Sequence, residues 1–520
     1  MTPDTCRVVI LDRLSLPGDV ARDVGGSQQE RFPMNDHLLQ LSPEPLWRHF
    51  RTLCNTPRPS GHEQRLVETL TAWADERELA HERDAAGNLK ILKPASPGCE
   101  ELPGVILQGH LDMVAQANAG HPHDFTRDAL DTYVEDGWLH ARETTLGADN
   151  GMGVAAALAI LEDDSLRHGP LEALFTLEEE ASMRGALELD EGWLQGRYLL
   201  NLDSEDRGQV YIGCAGGADV VVGARLPTRD LGEDEIVRRV ALTGLVGGHS
   251  GIDIHKGRGN ANRLLVRVLR ALEPFGACLV AYHGGTLRNA LPREAFASIA
   301  LPADEEQAVT QRLVELQAEL ASELAGIDED VQLALEPAES DAPLTEAANR
   351  LLIAALHVAP CGVERMSVEV PGVVETSNNL GVVKLEAGRF HLCALVRSLR
   401  DSATQDLADR FRALFSLIGA ETRVENAYPG WTPDPESTLL ARFRRLHLEQ
   451  TGVDPDVKVI HAGLECGILG GKYPHLEMIS FGPLIRGAHS PAERVELDSV
   501  GEFWQVLRAV IEDLATARAA

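Results

Sequence analysis

Val105-Ile-Leu-Gln-Gly-His-Leu-Asp-Met-Val114 opens as an apolar run and closes on two metal-capable side chains. A short unbroken apolar run fits a strand buried on both faces, as in a parallel sheet. Gly109, His110 and Asp112 fall where that strand gives way to a loop, and in open α/β sheets chemistry collects at the carboxyl ends of strands. Taken alone, a His-x-Asp pair is more often two hydrogen-bonded loop residues than a ligand pair. Its weight depends on whether other strands end in the same way.

Upstream, Leu46, Phe50 and Leu53 share a helical face that Thr56-Pro-Arg-Pro-Ser-Gly61 breaks. A second amphipathic helix is expected over about Glu63–Arg77, and a strand at Gly87–Leu92. Residues 115–140 read as loop-rich. Downstream come an Ala-rich helix, Gly151–Leu161, and strands at Leu171–Leu177 and Tyr198–Leu202. Strand and helix alternating in this order give a doubly wound α/β domain.

After Ile212-Gly-Cys-Ala-Gly-Gly217 the texture changes. Strands at Val240–Leu245, Cys278–Tyr282, Phe296–Leu301, Val382–Leu385 and Phe390–Val396 alternate with long helices near 258–272, 304–323, 342–357 and 402–418. That pattern is α+β. From Gly430 the chain returns to short buried strands such as Met478–Phe481 and a closing helix near Val500–Ala515. The expected organisation is an extension at 1–34, a catalytic domain at 35–216 and 429–520, and an inserted lid domain at 217–428. Residues 1–33 lack the order of a secretory signal, and Met34 is a candidate start.

The totals narrow the function classes. The 520 residues exceed a single ordinary core. A formal charge of -32 argues against nucleic acid or an anionic membrane as partner. No run approaches the ~18 consecutive apolar residues of a membrane span. The eight cysteines include no C-x-x-C pair, which suits free thiols in a reducing cytoplasm.

Four later stretches repeat the opening theme. Asp149 sits in the Gly-flanked turn Thr144-Thr-Leu-Gly-Ala-Asp-Asn-Gly-Met-Gly153, where it could equally cap the Ala-rich helix. Phe175-Thr-Leu-Glu-Glu-Glu-Ala181 ends a strand in three glutamates, and Leu199-Leu-Asn-Leu-Asp203 ends one in an aspartate. His489 lies in the loop Phe481-Gly-Pro-Leu-Ile-Arg-Gly-Ala-His-Ser-Pro491. Each has an ordinary explanation singly. Together they supply the mixed nitrogen and oxygen donors that suit paired zinc or related divalent ions, with one acid to spare for moving protons.

Leu107–Val114, Gly147-Ala-Asp-Asn-Gly151, Glu179-Glu-Ala181, Asn201-Leu-Asp-Ser204 and Gly487-Ala-His-Ser-Pro491 resemble the di-zinc exopeptidase family of aminoacylases, carboxypeptidase-G-type enzymes and dipeptidases. Within it the chain is most similar to the aminoacyl-histidine dipeptidases. Further matches are Gly247-Gly-His-Ser-Gly251, Gly285-Thr-Leu-Arg-Asn-Ala290, Val374-Glu-Thr-Ser377, Ala427-Tyr-Pro-Gly-Trp431 and His461-Ala-Gly-Leu-Glu-Cys-Gly467, so the similarity runs from about Leu41 to the end.

The resemblance implies two divalent ions, zinc first, with cobalt or manganese as alternatives. Asp149 would bridge them, with His110 and Asp203 on one and Glu180 and His489 on the other. Glu179 would be the general base for a metal-bridging hydroxide, and Asp112 would orient His110 from behind. The glutamate triplet leaves the register to be settled by Ala181, which follows the working pair. His249 would donate to the developing oxyanion, often across a dimer interface in the lid. Asn289 and Arg397 match positions that bind a substrate carboxylate, although Arg397 could instead pair with Asp401. Glu465 is the candidate partner for a free amino terminus.

The expected function is hydrolysis of short peptides with a free amino terminus, Xaa-His dipeptides included, by a cytoplasmic metallo-dipeptidase. An N-acyl-amino-acid amidohydrolase on the same scaffold is the enzymatic rival. A metal-binding protein without turnover is disfavoured by the spare acid Glu179.

Overall fold

The computed structural model describes residues 35–339 and 341–516, so the 1–34 extension and its candidate start at Met34 lie outside the described residues. Val105–His110 is a strand with every residue buried. Val105 and Leu107 enter one apolar core, and Ile106, pointing the opposite way, enters a second. The period-two alternation of a strand thus buries both faces of the sheet.

That strand lies inside an eight-stranded sheet. Leu171–Thr176 and Tyr198–Asn201 run parallel to it on either side, with Leu107 opposite Ala173 and Leu200. Glu477–Ser480 extends the parallel run. Four strands therefore finish side by side, and the loops leaving them carry His110, Asp112, Glu178 to Glu180, Asp203 and the approach to His489. Leu89–Lys93, antiparallel, and Ala80–Arg83 form one edge; Gln209–Cys214 and Asp456–Ile460 form the other. The Ala-rich helix, Ala148–Glu162, packs against Val105–His110 and against helix Glu44–Asn55. Gly109 allows that approach, because a Cβ there would stand 2.2 Å from Asn150 Oδ1.

A single residue, Ala215, carries the chain from one sheet to the next. Gln209–Cys214 closes the first, and Gly216–Arg225 joins a nine-stranded antiparallel sheet. That sheet has its own apolar core, shared with helices Ala261–Leu272, Glu306–Glu323, Glu346–Val358 and Asp401–Ser416. The return crossing pairs Trp431 with Cys214 by reciprocal backbone hydrogen bonds of 2.9 and 3.0 Å. The α/β fold with an inserted α+β unit is as the sequence predicts.

Several elements differ from the sequence reading. Residues 115–140 are not all loop, since Thr132–Glu135 and Trp138–Ala141 form a hairpin. Asp136 and Gly137 both adopt positive φ at its turn, the geometry a two-residue Asp-Gly turn provides. The hairpin pairs with Arg494–Glu496, which pairs with Ile485–Arg486. Those last two strands are the legs of the His489 loop. Strand Glu421–Tyr428 and helix Thr438–Thr451 also lie where no element was expected.

Candidate active site

Asp149 sits at the middle of the loops that leave the parallel strands. Its Oδ1 is 3.2 Å from His110 Nε2 and its Oδ2 is 3.2 Å from His489 Nε2. Asp203 Oδ1 approaches the same His110 nitrogen at 3.3 Å, and Glu180 Oε2 approaches His489 Nε2 at 3.0 Å. One carboxylate thus stands between two histidines, each with an acid of its own. All five residues expected as metal ligands meet here.

The local backbone explains how the glutamate triplet divides. Glu178 and Met183 adopt left-handed φ of 54° and bracket the short helix Glu179–Ser182. A non-glycine residue in that region costs about 1–2 kcal/mol. The turn points Glu178 outward, where Arg184 donates to its Oε1 at 2.8 Å, and brings Glu180 onto His489. Glu179 lies between, near His110, Asp203 and Glu465. Burial drives its carboxyl well above the usual range, and the neighbouring acids add to that.

Asp112, wholly buried, joins the strand end to the glutamates. Its carboxylate accepts from Glu179 N at 3.0 Å, Glu180 N at 3.1 Å and Ser60 Oγ at 2.7 Å. Its Oδ1 is also 3.4 Å from His110 Nδ1, leaving Nε2 to face Asp149 and Asp203. Burial opposes its charge, yet the His110 contact holds its pKa down at about 2.

Asp149 does not cap the Ala-rich helix. The cap position belongs to Gly147 at φ 66°, and Asp149 itself has non-helical backbone angles. Glu493 takes the orphan N–H groups instead, from 344 residues away. Its Oε2 accepts from Leu146 N and Gly147 N at 2.8 and 2.9 Å, and its Oε1 from Ala148 N and Asp149 N at 2.8 and 3.3 Å. Burial raises its carboxyl to about 7 while those N–H groups pull the other way. Neither Glu493 nor Arg58, which donates to Gly147 O, was among the residues singled out in the sequence.

Carboxylates crowd around two histidines here. Burial works against a charged His110, but Asp203, Asp112 and Asp149 hold its pKa well above the ordinary value. Hydrogen bonds to Asp149 and Glu180 take His489 to about 11. Burial raises Asp203 to about 7 and Glu205, a nearby acid the sequence reading passed over, to about 8. His110, Asp149 and Glu180 each offer a donor atom within 4.8 Å of the others, and Glu180 Oε1 is buried without a partner. This nitrogen and oxygen set fits divalent zinc or a similar ion.

Among the described residues, no hydrogen bond or ion pair joins the remaining expected residues to this cluster. His249 ends the two-residue strand Gly248–His249, paired with Ala290–Leu291; its Nδ1 accepts from Gly251 N and Ile252 N at 3.2 and 3.1 Å, so its proton sits on Nε2. Burial lowers its pKa to about 4, with Arg397 adding to the effect. Arg397 is 5% exposed and makes no ion pair with Asp401, which instead accepts from Gly430 N. Its Nη1 donates to Tyr428 Oη at 2.8 Å, and its Nε is buried with no partner. Asn289 is exposed, and its carbonyl accepts from Ser250 N. Glu465 is fully buried beneath the cluster; Oε2 accepts from Gln108 Nε2 and Thr176 Oγ1 at 2.6 and 2.7 Å, and Oε1 has no partner. A cavity of about 430 Å³ opens beside Asp203, walled by Glu205, Tyr211 and His461 from the first sheet's side and by Ile252 and Val374 from the second's.

The chain is similar to known peptidases over most of its length. A model of peptidase family M20/M25/M40 matches residues 106–513. The cytosol non-specific dipeptidase of Escherichia coli strain K12 is 44% identical over 479 residues, covering 92% of this chain and 99% of its own. The crystal structure of aminoacylhistidine dipeptidase from Vibrio alginolyticus superposes with a TM-score of 0.85 at 44% identity, covering 92% of this chain and 98% of that one. Aminopeptidase PepT from Bacillus cereus, at 15% identity and a TM-score of 0.53 over 91% and 99% of the two chains, shares the fold.

Proposed function

The chain belongs to peptidase family M20/M25/M40, and from that premise we propose that it is a metallo-dipeptidase acting on dipeptides with a free amino terminus, Xaa-His dipeptides among them. The observation that carries the reading is Asp149 set between two histidines, each with its own acid, and Glu179 near them, in no ion pair among the described residues.

In this reading His110 and Asp203 hold one divalent ion, Glu180 and His489 a second, and Asp149 is shared; zinc suits the donors, and cobalt or manganese would also be accepted. Bound ions of this kind lower the pKa of a water to ~7 and polarise the scissile carbonyl. Glu179 takes the attacking water's proton on its carboxylate and returns it to the leaving amine nitrogen. Its raised pKa suits both transfers, because the group must hold a proton and release it near neutral pH. Asp112 fixes the ring of His110 and, through the two N–H groups it accepts, the backbone that aims Glu179 and Glu180. His249, neutral and with its proton on Nε2, is the donor for the developing oxyanion once the lid side approaches.

Arg397 is the group for the substrate's carboxylate, with Asn289 beside it. A buried guanidinium bonded, among the described residues, only to a tyrosine hydroxyl has a donor fork to offer, and that fork matches a carboxylate. Glu465 Oε1 is the atom left for the substrate's amino group. Function in the cytoplasm and a homodimer through the lid complete the proposal; no helix among the described residues is long and apolar enough to cross a membrane.

The test is a panel of free dipeptides and their N-acetyl counterparts, with metal content measured on the same sample. Cleavage of the free dipeptides by protein carrying two ions per chain is expected. Preference for the N-acetylated compounds would assign the site to amidohydrolase chemistry instead.

A further inference from the structure

Two buried and opposite charges, Arg58 and Glu493, flank the turn that holds Asp149 and feel one another without direct contact. Arg58 is 1% exposed and Glu493 is 2% exposed, and neither makes an ion pair with any side chain among the described residues. Burying an unpaired ion is costly unless polar groups replace its lost water. Both are compensated by backbone dipoles, and by the same turn. Glu493 collects the N–H groups of Leu146, Gly147, Ala148 and Asp149. Arg58 Nη2 donates to the carbonyl of Gly147 from the other side. Gly147 is needed there, since a Cβ would stand 2.6 Å from that Nη2.

Each charge also reaches a second segment of the cluster. Arg58 Nη1 donates to the carbonyls of Leu111 and Asp112 at 3.0 and 2.9 Å, in the loop directly after His110. Glu493 stands four residues beyond His489 and closes that loop through Glu493 N to Ser490 O at 3.0 Å. Asn260, Thr345 and Ser437 each cap the helix they begin, and Asp112 takes the first N–H groups of Glu179–Ser182 from 67 residues away. Only the turn holding Asp149 is capped, among the described residues, by a charge brought from the far end of the chain.

We propose that Glu493 and Arg58 are positioning residues that clamp the Asp149 turn from its N–H and C=O sides and so set the spacing of His110, Asp149 and His489 for metal. The inference rests on the reading of Asp149 as the shared ligand. If the clamp acts through Asp149, Glu493→Gln keeps the volume but turns an NH₂ toward donors it cannot accept from, and Asp149 loses its fixed direction. Outer residues of this kind change metal affinity by about 10–100-fold.

The experiment is a zinc titration of the metal-stripped full chain against a competing chelator. Glu493→Gln should weaken zinc binding by about 10–100-fold. In an Asp149→Asn background the same change should add less than about threefold, because coupled residues are non-additive. Glu172→Gln, which neutralises another buried carboxylate bonded to a backbone N–H, at Gln195, should leave affinity unchanged. Wild-type affinity in Glu493→Gln, an equal loss in the Asp149→Asn background, or an equal loss in Glu172→Gln would each overturn the proposal. Wild-type affinity in Asp149→Asn alone would instead overturn the reading of Asp149 as a ligand, and the clamp with it. Should Glu493→Gln not fold, Arg58→Lys removes the fork from the opposite side and is held to the same outcomes.

Discussion

The loops leaving the first sheet and the facing side of the second carry their site residues in opposite ways. On the first side the groups are bonded to one another: His110, Asp112, Asp149, Glu180, Asp203 and His489 lie within hydrogen-bond or ion-pair reach of a neighbour in the set. On the second side, among the described residues, no hydrogen bond or ion pair joins His249, Asn289 or Arg397 to them. Asn289 is exposed, His249 Nδ1 is held by local backbone, and Arg397 bonds to Tyr428 while its Nε is buried without a partner. A closed network is built to hold ions in fixed geometry before substrate arrives. Open groups are completed by something that arrives later.

That contrast predicts different kinetic signatures. Glu179→Gln, on the closed side, should lower kcat by about 10²–10⁴-fold with little change in KM, since it removes a proton carrier and no binding group. His249→Ala, on the open side, should lower kcat by about 10²-fold, the effect of losing one oxyanion donor. Arg397→Lys should act mostly on KM, raising it by about tenfold for a free carboxylate and little for the dipeptide amide, because a point charge replaces a fork. Steady-state assays on dipeptide and dipeptide amide separate the three. A pure KM effect at Glu179, or a pure kcat effect at Arg397, would erase the distinction.

A separate effect, on stability, involves neither set of reacting groups. His461 lines the cavity and bonds to Ser377 Oγ at 2.7 Å, and burial, with Arg397 nearby, lowers its pKa to about 3. The unfolded chain binds a proton at this residue below ~6.5, whereas the folded chain does so only near 3. Stability is therefore lost as pH falls through that window, by at most about 1.4 kcal/mol per unit. Metal-free His461→Gln should show a flatter fall in Tm between pH 6.5 and 4.5 than metal-free wild type.

The same contrast governs what the sequence could reveal. Ligand-type residues at strand ends were legible because apolar runs mark the strands and each run ends in an acid or histidine. The fate of the glutamate triplet was not, since it depends on left-handed backbone at Glu178 and on Arg184 drawing that side chain away. Arg58 sits in a stretch that composition marks only as a helix breaker. Glu493 meets its turn across 344 residues, a separation no local pattern records. The hairpin at Thr132–Ala141 did carry a signal, Asp136-Gly137, between short strands whose apolar residues are few.

The metal content of Glu179→Gln, measured beside Glu180→Gln and wild type, tests the central claim most directly. If Asp149 stands between two ion sites and Glu179 is the unbound acid beside them, Glu179→Gln keeps the wild-type metal content without hydrolysis, whereas Glu180→Gln loses metal. Loss of metal from Glu179→Gln, with Glu180→Gln still fully loaded, would contradict it.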